Sequence, residues 1–141
     1  MTDTALSIAP PDQAMPKVVW LSIAMMLVQL PIGLINLFFF QPVEVTGVWL
    51  AVIVVITLIV LGLIALIALG YGWVRHFYVV STVLTIPQLV LSLPQRFHSS
   101  PMNGAWVLVT NLWFYAALAM LYAPSARAWF RGARLRRQRG L

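Results

Sequence analysis

The residues able to do acid-base or metal chemistry are few and scattered. Three carboxylates (Asp3, Asp12 and Glu44) and two histidines (His76 and His98) make up the set, and there is no cysteine. A general acid-base pair needs two groups within reach of one substrate, and a metal site needs several ligands converging on one point. Neither the acids nor the histidines stand together in the chain. Without cysteine, disulfides, thiolate chemistry and cysteine-based metal sites drop out, and with them a quinone-linked disulfide-forming protein. The acids also lie outside the apolar segments, so coupled export through an intramembrane carboxylate has no residue to use. The expectation is a protein that is not an enzyme and that carries neither cofactor nor metal.

Neutral polar residues at helical spacing are the next candidates. Ser22, Gln29, Gly33 and Asn36 are separated by seven, four and three residues, which returns each to nearly the same helix face. Ser81, Thr85, Gln88 and Ser92 repeat the pattern with spacings of four, three and four, and Asn111 with Tyr115 offers a third such face. Amides and hydroxyls facing acyl chains are costly, so these stripes are placed inward. Gln29, Asn36, Ser81, Thr85, Gln88 and Asn111 are therefore expected to form a seam, acting either as glue between helices or as a path for a neutral solute. Interhelical polar contacts in membranes contribute only about 0.6 kcal/mol on average.

A proline accompanies each stripe. Pro31 precedes Gly47-Val48-Trp49, and Pro87 precedes Gly104-Ala105-Trp106, so matching signals fall 56 and 57 residues apart. The spacing predicts two similar helical hairpins, each with one helix broken at its proline, and broken helices in corresponding halves point to a binding site in small transporters. In that arrangement the two proline-bearing helices meet across the polar seam.

The elements that must carry these residues are membrane helices. Of 141 residues, 62% are hydrophobic and 9% charged, where soluble domains carry about 25% charged residues. Four runs of suitable length stand out, roughly Val18–Phe40, Val48–Leu69, Trp73–Leu93 and Ala105–Ala123. Trp20, Trp49, Tyr71, Trp73, Trp106 and Tyr122 sit near their ends, where amphipathic rings prefer the interface. The expected fold is an all-α membrane protein with four transmembrane helices and a short C-terminal interfacial helix. Residues 1–16 read as a mobile tail, 17–123 as the transmembrane domain and 124–141 as a basic amphipathic tail. If both termini share a side, that side holds Lys17, Arg75 and the six arginines from Arg127 to Arg139 against Arg96 alone. The positive-inside rule then makes the termini cytoplasmic, with outer loops at Gln41–Gly47 and Pro94–Gly104.

The C-terminal tail carries the densest charge. Ser125 can cap a helix in which Ala126, Trp129, Phe130 and Ala133 share one face while Arg127, Arg131, Arg134 and Gln138 lie elsewhere. Arg127, Arg131, Arg134, Arg136, Arg137 and Arg139, with Trp129 and Phe130 as apolar anchor, are expected to meet anionic inner-leaflet lipid or an acidic protein partner. The run from Leu121 to Phe130, with its Pro124-Ser125 and Trp129-Phe130, resembles the small uncharacterised four-helix inner-membrane proteins of bacteria that close on a Pro-Ser-x-x-x-Trp-Phe exit. That resemblance implies a bacterial inner-membrane location rather than an activity.

The leading expectation is a non-enzymatic structural or accessory subunit, alone, as a small homo-oligomer or with a membrane-protein partner, and without nucleic acid. The alternative is a small transporter or pore component for a neutral or weakly polar solute, enclosed by dimerisation. A third class, a phage-type pore-forming holin, fits the size and basic tail but not the helix count.

Overall fold

The structure, a computed structural model, describes residues 14–40 and 46–139. Asp3, Asp12 and Glu44, most of the expected N-terminal tail and most of the expected Gln41–Gly47 loop lie outside the described residues. The described residues form five helices: α1 (Lys17–Phe40), α2 (Gly47–Ala68), α3 (Trp73–Ser99), α4 (Pro101–Met120) and α5 (Pro124–Gln138). The described residues are all-helical in their regular structure. By length and composition α1, α2 and α3 can each cross a membrane, and the number becomes four if α4 and α5, bent by 58° across a short break, count as one span.

Each boundary has a local cause. Thr46 accepts from the Trp49 amide at the start of α2. At its end, Gly70 adopts φ +81°, its N–H bonds the Ile67 carbonyl and the Tyr71 N–H reaches back to that of Leu66. This pair of bonds is a Schellman stop, which needs a left-handed residue and therefore favours glycine. Ser100 closes α3 and opens α4: its N–H bonds Arg96 O, and its hydroxyl accepts from Asn103 N. The expected Pro94–Gly104 loop is thus reduced to one non-helical residue, with α3 running six residues beyond Leu93 and α4 starting at Pro101. Ala123, not Ser125, is the N-cap of α5, because Pro124 takes the first helical position, where a missing N–H costs nothing.

The expected helix breaks at Pro31 and Pro87 do not occur. Both prolines, and Pro94, sit inside continuous helices. A proline deprives only one nearby carbonyl of its partner, a loss that a membrane helix tolerates without breaking. In α3 the carbonyls that Pro87 and Pro94 leave without a partner are those of Val83 and Val90, while the nearby hydroxyls bond others, Thr85 to the Thr82 carbonyl at 2.9 Å and Ser92 to that of Leu89 at 3.2 Å.

α1 packs on α4 and α2, and α4 packs on α3. The expected direct pairing of α1 with α3 is replaced by packing of both on α4. The polar spacing places Ser22 on a buried face of α1, but Thr85 and Gln88 of the α3 stripe are exposed, and spacing cannot name the helix that receives either stripe. Ser22 is fully buried and donates to the Ala117 carbonyl at 2.7 Å, and the Trp113 indole donates to that of Met25 at 3.2 Å. Nor are the two hairpins equivalent. At Gly104 the Phe97 ring lies so close that an added Cβ would come within 2.5 Å of Cγ, whereas Gly47 has open space around its Cα.

The core is concentrated at one end. Val19, Ile67, Val74, Leu121, Ala126, Trp129 and Phe130 belong to one buried cluster, with Met15 against it. The start of α1, the α2–α3 turn, the end of α4 and all of α5 therefore share an end. Trp129 and Phe130 are only 6% and 4% exposed. The aromatic pair expected to enter lipid is instead buried inside the molecule, because the turn at Gly70 gives it a nearer apolar surface.

Candidate functional site

Two concave sites lie toward opposite ends of the bundle. At the core end, a cavity of about 690 Å³ opens between the α2–α3 turn, the first turn of α3 and the outer face of α5. Its floor is aromatic, from Tyr71, Trp73 and Phe130, and its rim is basic, from Arg75, His76, Arg127, Arg131, Arg134 and Arg137.

The helices position this rim by simple periodicity. Ala126, Trp129, Phe130 and Ala133 form the buried face of α5, as their spacing predicts. Arg127, Arg131 and Arg134, at i, i+4 and i+7, consequently line up on a separate stripe. Arg75 is wedged between rings, its guanidinium carbon 5.1 Å from the centroids of both Tyr122 and Phe130, with Nη1 3.5 Å from the Leu121 carbonyl. Its Nε is buried with no hydrogen-bond partner among the described residues. His76 Nδ1 lies 3.1 Å from the Tyr122 hydroxyl. Arg137 donates to the Gly70 carbonyl at 2.6 Å and stacks 3.8 Å from the centre of the Tyr71 ring. Every Asp and Glu of the chain falls outside the described residues, so no side-chain carboxylate among them neutralises this rim.

The second site is an open groove of about 280 Å³ toward the other end, where α1, α3 and α4 part. It brings together Asn36, Thr85, Gln88 and Asn111, with Ser92 and Arg96 alongside. Gln29 and Ser81, the other two residues of the expected seam, do not line it. Thr85 and Gln88 are exposed rather than inward. Asn111 turns its amide onto its own helix, donating to the Val107 carbonyl at 2.7 Å. Gln29 Oε1 and Asn36 Oδ1 are buried acceptors without a donor among the described residues.

Of the expected tail residues, Arg136 and Arg139 do not line the basic cavity, and Trp129 lies beneath it in the core. Arg75, His76, Tyr71 and Tyr122 belong to that end of the molecule, although the sequence marks Arg75 only for orientation, Tyr71 and Tyr122 only as interfacial rings and His76 only as an isolated histidine. Their signal was present as Arg75 and His76 in the first turn of an apolar helix, a placement that requires a polar destination. The two histidines occupy opposite ends of α3, and no group of three or more His, Cys, Asp or Glu residues among the described ones could hold a metal ion. The chain matches no protein-family model, no curated protein and no solved structure.

Proposed function

We propose that this chain is a multi-pass protein of the bacterial inner membrane, with both termini cytoplasmic, acting without catalysis as a structural or accessory subunit. The observation that carries the reading is the separation of core from apolar surface. In α2 only Ile64 and Ile67 are buried, both near its end, while Val48 to Leu61 present almost continuous exposed aliphatic surface. A helix with so little internal packing and no polar face offers a partner shape and nothing for chemistry. The eight basic residues outside the groove support the orientation, because Lys17, Arg75 and the α5 arginines lie at the shared end.

Single cysteines at Val55 and Leu58 test this reading, since the chain has none of its own. Carrying a fluorescent label, they should resist a lipid-soluble quencher in native membranes and become quenched in the isolated chain. Equal quenching in both states would show α2 bathed in lipid throughout, and the subunit reading would be lost.

A second reading, a small transporter or pore component for a neutral or weakly polar solute, is favoured by one observation. The groove of Asn36, Thr85, Gln88 and Asn111 is open on the single chain, and a second copy could close it. It needs a polar solute to compete with the donors and acceptors already there.

A further inference from the structure

We propose that the basic cavity at the core end is a discrete site for the phosphate-bearing headgroup of an anionic phospholipid. The proposal rests on the membrane reading above and adds a stoichiometric ligand to it. Arg127, Arg131 and Arg134 present three guanidinium groups over about 10 Å of one helix, and Arg75 closes the cavity from the facing helix. Guanidinium groups suit phosphate because their planar donors pair two oxygens at once. Among the described residues no carboxylate competes for them. Arg75 is held by the Tyr122 and Phe130 rings and leaves a buried Nε donor unsatisfied. Arg137 is committed elsewhere, to the Gly70 carbonyl and the Tyr71 ring. It serves as the strut that fixes the stripe against the turn.

The same phosphate chemistry could come from a soluble anion, but the surface leading away from the cavity favours a lipid. Trp73 lines the cavity, and from it Phe77, Val80, Leu84 and Leu91 follow at i+4, i+7, i+11 and i+18, all exposed along one face of α3. Leu84 and Leu91 are 73% and 80% exposed. A headgroup seated among the arginines therefore has a continuous apolar track for its acyl chains, starting at an interfacial tryptophan. A soluble phosphate would make no use of that track. Basic cavities between helix ends on the cytoplasmic side are suited to such headgroups.

The test uses the full chain purified in a neutral detergent, with bound lipid counted by native mass spectrometry. Phosphatidylglycerol should bind saturably at one per chain, phosphatidylcholine weakly, and inorganic diphosphate weakly. Replacing Arg127→Gln together with Arg131→Gln should weaken phosphatidylglycerol by about 30-fold. The charge-matched pair Lys17→Gln with Arg139→Gln, outside the cavity, should weaken it by about threefold or less. Thermal unfolding without lipid, unchanged in both pairs, would show that the fold is intact. Equal weakening in the two pairs, or uptake that never saturates, overturns the site in favour of diffuse attraction. Diphosphate binding as tight as phosphatidylglycerol overturns the lipid assignment. Alkaline washing of membranes keeps the two proposals apart: a chain that stays embedded yet takes up no lipid loses the site alone, whereas a chain that is washed out loses both.

Discussion

Arg137 in α5 donates to the carbonyl of Gly70 at 2.6 Å, joining the last helix to a turn 67 residues earlier. The carbonyl belongs to the one described residue with positive φ, so a backbone conformation that only glycine adopts readily presents the acceptor to the tail. α5 is accordingly part of the fold, clamped by Trp129 and Ala133 below and Arg137 at the side.

Gly70→Ala should therefore be costly twice over. The new Cβ would sit 2.6 Å from Ala133 Cβ, at φ +81°. A non-glycine residue held in the left-handed region costs about 1–3 kcal/mol. We expect a lower unfolding midpoint in mixed micelles and faster protease cleavage within Arg131–Arg139, as α5 lifts away. Cleavage at the parental rate would mean that the clamp does not depend on this turn.

Gly104→Ala and Gly47→Ala make a matched pair. The first forces a Cβ against the Phe97 ring and should cost about 1–3 kcal/mol, as overpacking does. The second meets open space and should stay within about 0.5 kcal/mol of the parent. Equal effects in a denaturation series would contradict the inequivalence of the two hairpins.

Gln88→Leu separates glue from path. Gln88 is exposed on the groove wall, so its loss should change folding free energy by about 1 kcal/mol or less. If the groove carries a solute, flux into proteoliposomes should fall while the unfolding curve stays in place. Unchanged flux in a chain that does transport would remove the groove from the route.

Topology is open to reporter fusions. Fusions at Gly72 and after Leu141 should report the cytoplasm, and a fusion at Ser100 the opposite side, because the basic asymmetry sets orientation. A C terminus on the outer side would reverse the assignment of both cavities.

Much of the architecture is legible in the residues themselves. Apolar runs of membrane-spanning length mark α1 to α3, and the i, i+3, i+4 pattern of Ala126, Trp129, Phe130 and Ala133 correctly marks the buried face of α5. What that face packs on is not legible, because an amphipathic helix has the same periodicity whether it meets a bilayer or the chain's own turn. The prolines mislead for a related reason. Pro31 and Pro87 announce a missing hydrogen bond, but whether the helix breaks depends on how its neighbours tolerate the loss. For the groove, spacing places Asn36 with Gln29, and Thr85 and Gln88 with Ser81. Only the depth at which the helices separate decides that Asn36, Thr85 and Gln88 share it while Gln29 and Ser81 do not.

The hydrogen bonds from Ser22 to Ala117 and from Trp113 to Met25 fasten α1 to α4 in the first half of α1, and that placement has a mechanical meaning. Ser22 lies 14 residues from Asn36, a lever arm of about 21 Å along the helix. Pivoting about the fastened end by about 5° would move Asn36 by about 2 Å. α4 would travel with α3, since Phe97 is seated on Gly104 and Ser100 alone joins the two. A small tilt of α1 about its bonded half would thus change the width of the groove that Asn36 lines at the other end.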